Sequence, residues 1–215
     1  LRARRHKGLG PDAGRGPMRA DGMLNAAVVG LGWWGRTVTE RLSRSEEIRV
    51  GRAVDLFPER HQDYAERWGL PVGASFDEAV ADPAIDAVIL CTPNSLHTAQ
   101  VAAAARAGKH VFCEKPLALT RAEAEASVAV CREHGVMLGI GHERRFEPAM
   151  QEVERMVREG ELGTLMHAEA NFSHDKLIAV PASDSNFWVR RSRCSIACAI
   201  FMWLGLGALQ PAAVR

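Results

Sequence analysis

Residues 24–35 limit what this chain can fold into more than any other stretch. Leu24–Val29 (LNAAVV) is a short apolar run suited to a strand buried on both faces, and it leads directly into Gly30-Leu31-Gly32-Trp33-Trp34-Gly35. Over residues 33–44, Val38 and Leu42 stand four apart with Arg and Glu on other faces, as in an amphipathic helix. A glycine cluster alone marks many ordinary turns. This one follows a strand, opens a helix and is answered by Asp55, which ends a second strand over Ile48–Val54 and lies twenty residues beyond Gly35. That is the arrangement expected of a dinucleotide-binding turn and its ribose-binding acid.

Each position then has a physical task. Gly30 permits the tight turn, Gly32 lets the backbone approach a pyrophosphate, and Gly35 lets helix and strand pack closely. Trp33 and Trp34 fill the variable positions of the turn and are counted with the cofactor-binding residues. The helix N-terminus offers unpaired N–H groups and a partial positive charge to phosphates. Asp55 can accept hydrogen bonds from the adenosine ribose hydroxyls and would repel a 2′-phosphate, which favours NAD. Nearby Arg52 and Arg60 keep NADP open, because either could swing toward such a phosphate.

The middle of the chain continues the alternation. A helix over Pro58–Trp68 opens with a first-turn Pro and closes at Gly69; a buried strand follows at Asp86–Cys91 (DAVILC). An Ala-rich helix over 95–107 stops at Gly108, and His110–Cys113 forms the next strand. Thr120 with Glu123 makes a capping box for a helix that Gly135 ends, before a strand at Val136–Ile140. Strands and helices alternating in this way predict parallel pairing and right-handed crossovers, hence a doubly wound sheet. Beyond it, Pro148–Glu159 has Met150, Val153 and Val157 at helical spacing, and Thr164–Phe172 after Gly163 reads as a half-exposed strand. The expected α/β organisation is a disordered extension (1–22), a Rossmann domain (23–141), the start of an incomplete α/β second domain (142–186) and an atypical apolar tail (187–215).

The two ends differ in composition from the middle. Residues 1–22 hold six Lys or Arg and five Gly with almost no large apolar residue, too little to order themselves. They lack the apolar core of a secretory signal and the amphipathic pattern of a transit peptide, and Met23 stands just before the first strand. From Phe187 onward there is no Asp or Glu, and Ile196–Leu209 is continuously apolar or Gly behind Arg190, Arg191 and Arg193. That run is shorter than the roughly 20 residues of a bilayer-spanning helix, so membrane anchoring is the minority reading. A net charge of +1 gives no basic excess for nucleic acid. Five cysteines (Cys91, Cys113, Cys131, Cys194, Cys198) without framework spacing read as free, largely buried thiols of a cytoplasmic protein.

A second set of polar residues falls at the carboxyl ends of later strands, where open α/β sheets bind ligands. Thr92-Pro93-Asn94 follows the strand Asp86–Cys91, with His97 one helical turn on; Glu114-Lys115-Pro116 follows His110–Cys113. Locally, the first is also a capped helix start and the second a solvated ion pair.

Three blocks taken together carry more. GLGWWGR (30–36), TPNSLHTAQVAAAARAGKHVFCEKPLALT (92–120) and GHERRFEPAM (141–150) resemble the Gfo/Idh/MocA family of glucose–fructose oxidoreductase, inositol dehydrogenase and rhizopine-catabolism proteins, over roughly residues 24–186. The resemblance implies a Rossmann domain followed by an α/β domain whose open sheet holds the substrate and makes the family's oligomers. It implies that Gly30, Gly32, Gly35 and Asp55 bind the adenosine half of NAD, and that Thr92, Pro93, Asn94 and His97 line the cofactor groove. Glu114 and Lys115 would reach the nicotinamide end, Lys115 being the catalytic candidate that hydrogen-bonds a substrate hydroxyl or carbonyl, and His142 and Arg144 would lie beside nicotinamide and substrate. The implied reaction is reversible hydride transfer between NAD(P) and a secondary alcohol of the sugar or cyclitol class, with no metal. The chain departs from the family in one respect: no His follows His174 and no Asp follows Asp184, so the family's Asp-x-x-x-His pair is missing. A truncated or frameshifted reading frame is the expectation, which resequencing an uninterrupted gene with this same tail would overturn. The alternatives are a non-catalytic dinucleotide-binding module or pseudoenzyme, and a dehydrogenase tethered through 196–209.

Overall fold

A computed structural model describes residues 22–167. The expectations for the N-terminal extension, for the apolar tail and for most of the second domain fall outside these residues. Within them the chain divides into two compact units, one reaching His142 and the other starting at Glu143.

The first unit is a six-stranded sheet. Its strands are β1 (Leu24–Val29), β2 (Ile48–Val54), β3 (Val72–Gly73), β4 (Ala87–Leu90), β5 (His110–Cys113) and β6 (Leu138–Ile140). Every pairing is parallel and the order is β3-β2-β1-β4-β5-β6. The fold is a doubly wound Rossmann sheet whose winding reverses between β1 and β4.

Helices cover both faces. Val38 and Leu42 of α1 (Trp33–Leu42) and Tyr64 and Trp68 of α2 (Gln62–Trp68) pack on one face against Ala26, Val28, Ala53 and Ile89. On the other, α3 (Phe76–Ala81), α4 (Asn94–Arg106) and α5 (Arg121–Glu133) bring Val80, Val101, Ala104, Ala105 and Cys131 against Ala27, Val29, Val88, Leu90 and Val111. Burial of each large aliphatic residue such as Leu90 or Val101 contributes roughly 2 kcal/mol. The small side chains of α4 let that helix lie close to the sheet, and Thr120–Glu123 forms the expected capping box on α5.

Details depart from the sequence reading for identifiable reasons. The segment from Pro58 begins as a 3-10 turn (Pro58–His61) before α2, and Gly69 closes α2 in the left-handed conformation. The strand expected over 136–140 starts only at Leu138, because the Val136 N–H bonds back to the Cys131 carbonyl at the end of α5. β2 contains one extra residue: Ala26 pairs with Val50 but Ala27 with Arg52, leaving Gly51 as a bulge whose Cβ would overlap the Asn25 carboxamide.

The second unit, as far as it is described, comprises a 3-10 turn (Glu143–Phe146) and α6 (Pro148–Glu159), capped by Gly160 in the left-handed conformation. α6 buries none of its residues. No strand forms over 164–167, and the rest of the expected strand to Phe172 lies outside the described residues.

Candidate functional site

The carboxyl ends of β2, β1, β4, β5 and β6 lie side by side, since Val54 pairs with Val29, Val29 with Leu90, Leu90 with Cys113 and Cys113 with Ile140. The segments that follow them, beginning at Asp55, Gly30, Cys91, Glu114 and Gly141, therefore emerge along one edge.

At β1 the glycines differ in what they allow. Gly30 has φ +92°, donates its N–H to the Val54 carbonyl at 2.7 Å, and a Cβ there would stand 2.8 Å from the Cys91 carbonyl oxygen. A Cβ on Gly35 would overlap the Gly30 carbonyl oxygen, so the first turn of α1 rests directly on the turn below it. A Cβ on Gly32 would meet nothing within 4 Å. Gly32 is the N-cap of α1, no side chain caps its N–H groups, and no acid lies in the first turn. Trp33 is 72% exposed, whereas Trp34 is half-buried with an Nε1 that has no hydrogen-bond partner among the described residues. Leu31, Gly32, Trp33, Arg36, Thr37 and Glu40 line an open depression that runs from the turn along one side of α1.

Asp55 turns back onto the glycine turn. Its Oδ2 accepts the Leu31 N–H at 2.9 Å, and its Oδ1 accepts the Phe57 N–H at 3.1 Å and lies 3.2 Å from His61 Nε2. Partial burial pushes the carboxyl up, but the two backbone N–H groups and His61 outweigh it and hold Asp55 below the ordinary carboxylate range. Of the two arginines that sequence reasoning set near a 2′-phosphate, Arg52 lies 3.5 Å from Asp82 and Arg60 covers the Phe57 ring at 4.2 Å. The basic residue connected to Asp55 is Arg36, through His61. Neither was singled out from the sequence, although Arg36 directly follows Gly35 and His61 lies six residues past Asp55.

At β4 and β5 the organising residue is His97, which has no exposed surface. The resemblance sets it among the residues of the cofactor groove; in the structure its ring is enclosed and joins two turns. Its Nε2 is 2.9 Å from the Thr92 carbonyl and its Nδ1 2.8 Å from the Pro116 carbonyl, across the cis Lys115–Pro116 peptide loop. Thr92 Oγ1 donates to Gln100 Oε1 at 2.5 Å, Asn94 is buried and Pro93 exposed. Glu114 is buried, accepting the Lys115 N–H at 3.3 Å, while the Lys115 side chain is exposed. Gly141 leaves the space that the Glu114 carboxylate fills, since a Cβ there would overlap it. Burial, with Glu114 nearby, pushes the thiols of Cys91 and Cys113 up to about 12, which leaves them un-ionised at neutral pH. His142 is half-buried at the end of this edge; Arg144 belongs to the second unit, where it pairs with Glu147 at 3.0 Å.

The family model described as an oxidoreductase family with an NAD-binding Rossmann fold, Gfo/Idh/MocA, matches residues 24–142. The chain belongs to this family. Among its relatives, a 1,5-anhydro-D-fructose reductase of Ensifer adhaerens is 44% identical over 143 residues, 66% of this chain and 41% of that one. An NADP-dependent D-xylose 1-dehydrogenase of Haloarcula marismortui is 30% identical over 193 residues, 84% of this chain and 51% of its own length. The solved scyllo-inositol dehydrogenase of Lactobacillus casei, with bound NAD(H) and scyllo-inositol, superposes with a TM-score of 0.62 at 28% identity, covering 66% of this chain and 42% of that one. The chain spans about two fifths of the length of the first curated relatives it matches. Among the described residues, none form a group of three or more candidate metal ligands, and no helix is long and apolar enough to cross a membrane.

Proposed function

We propose that this chain binds NAD at the glycine turn and serves a reversible oxidoreduction of a secondary alcohol of the sugar or cyclitol class. The observation that carries the reading is Asp55 held against Leu31 at the mouth of an uncapped helix, with the Thr92 turn one strand from β1 and the Glu114 turn two strands from it. The residues present fit a dinucleotide: the space in front of Gly32 is open, and the first N–H groups of α1 face it without a side-chain acceptor.

When bound, the nicotinamide supplies the hydride acceptor or donor. The chain's own residues bind and orient. The N–H groups at Gly32–Gly35 take phosphate oxygens, and Asp55, already ionised, accepts from ribose hydroxyls. Lys115, exposed beside buried Glu114, is the group to donate a hydrogen bond to the substrate's carbinol or carbonyl oxygen and to move a proton there. Calorimetric titration of the full chain with NADH and NADPH, followed by oxidation assays on sugars and cyclitols, tests this. Saturable NADH binding and turnover that Lys115→Ala abolishes support it, and a folded chain that binds neither dinucleotide overturns it.

A second reading is a dinucleotide-binding module without turnover. Tight NADH binding with no oxidation of any polyol distinguishes it.

A further inference from the structure

His61 ends the 3-10 turn after Asp55 and is only 8% exposed. Its Nδ1 lies 2.7 Å from Arg36 Nη2, and its Nε2 lies 3.2 Å from Asp55 Oδ1. A guanidinium has only donors, so Nδ1 must accept and carries no hydrogen. The ring proton of the neutral imidazole therefore sits on Nε2 and is donated to Asp55. Arg36 is held from other sides as well: its Nε donates to the Leu31 carbonyl at 3.2 Å, and its guanidinium lies 5.1 Å from the Tyr64 ring centre. The Tyr64 hydroxyl in turn donates to the Arg36 carbonyl at 3.2 Å.

One buried ring thus joins the acid at the ribose end to the arginine on the rim of the glycine turn. We infer that His61 sets the choice between NADH and NADPH, by occupying the Arg36 guanidinium and fixing the Asp55 carboxylate as a hydroxyl acceptor. The inference rests on the dinucleotide reading above. An arginine beside the ribose with no such partner is the group that takes a 2′-phosphate in Rossmann sites, because it offers paired donors to an anion. With His61 in place, Arg36 is committed to an acceptor beneath the turn, and Asp55 meets the 2′ position as a fixed negative charge. His61 is in this sense a positioning residue; it acts through Arg36 and Asp55.

The test is calorimetry on the full chain, reading the ratio of NADPH to NADH dissociation constants. H61L removes both the acceptor and the donor. It is expected to shift the ratio about tenfold toward NADPH, the size of one lost charge-assisted hydrogen bond. H61Q keeps an oxygen to accept from Arg36 and an amide to donate to Asp55, and is expected to restore the wild-type ratio. Adding R36Q to H61L is expected to remove the gain in NADPH binding. A folded H61L with the wild-type ratio, or H61L and H61Q shifting alike, overturns the inference. Should H61L fail to fold, the side-chain nitrogen spectrum of the wild-type protein decides, with His61 assigned by its loss in H61Q. An unprotonated Nδ1 with a protonated Nε2 supports the relay, and a protonated Nδ1 overturns it. Absence of binding to either dinucleotide by the folded wild type would instead sink the functional reading, while the nitrogen spectrum still judges the relay.

Discussion

The ends of β1 and β2 and the ends of β4 and β5 lie on the same sheet edge, but they are built from different materials. The first is made of backbone: Gly30 and Gly35 bring turn and helix into direct contact, Gly32 leaves open space, and the side chains around them, Trp33, Leu56 and Phe57, stand exposed. The second is made of buried side chains: His97 ties two carbonyls together, and Glu114 fills the gap left by Gly141. Each region also encloses a histidine in a different setting. His61 lies between a donor and an acceptor, so one neutral tautomer satisfies both neighbours. His97 lies between two acceptors, and satisfying both requires a hydrogen on each ring nitrogen. A cradle of backbone is sensitive to atoms added where turn and helix touch, as at Gly30 and Gly35; a cradle of buried side chains is sensitive to atoms removed.

Gly35→Ala should break the first region outright. Its methyl would overlap the Gly30 carbonyl oxygen, which cannot retreat without moving β1, and the cost should reach about 3 kcal/mol or more in denaturant unfolding. The matched control is Gly32→Ala, whose methyl meets nothing; stability should stay within about 0.5 kcal/mol while NADH binding weakens. If both alanines cost the same stability, the distinction between a packing glycine and a ligand-facing glycine fails.

His97→Ala should come next. It opens a cavity and strips the Thr92 and Pro116 carbonyls of their donor, at a cost of about 3 kcal/mol in chemical denaturation. A loss below about 0.5 kcal/mol would mean that the two turns hold themselves.

The smallest expected effect is a pH dependence confined to the first region. Asp55 is held below its unfolded value of about 3.9. Its contribution to stability is therefore fully present above that value and is lost as pH falls through the lower folded-state value. Thermal melts below about pH 4 should show a shallower acid decline in Asp55→Asn than in the wild type. Parallel acid limbs would remove Asp55 from the acid response.

The same contrast explains what the sequence made legible. Gly30, Gly32, Gly35 and Asp55 announce themselves because their chemistry is local and their spacing is set by one strand, one helix and one more strand. Most strand positions in the sheet were readable from apolar runs; β3, two residues long, has no period to detect. α3 was overlooked although Ser75 caps it by accepting the Glu78 N–H, a signal present in the sequence. The links from His97 to Pro116 and from Arg36 to His61 join residues 19 and 25 apart in the chain. No periodicity reports such meetings, which depend on how the crossovers fold back. The resemblance pointed to His97, but not to the two carbonyls between which its ring is held.

The bulge at Gly51 has a consequence for how this sequence can vary. Ile48 and Val50 pack on the α1 side of the sheet, and so does Ala53, three positions further instead of two or four. Strand side chains alternate, so the single inserted residue changes which odd and even positions face which helices, and Asp55 inherits the changed parity. Losing the bulged residue would make the Val50 and Arg52 pairings consecutive and leave Ala53, and with it Asp55, on the face each now occupies. The distance from Gly35 to Asp55 thus holds one residue to spare at the bulge, and the face that Asp55 takes is set by the pairing of β2 with β1 and not by the count alone.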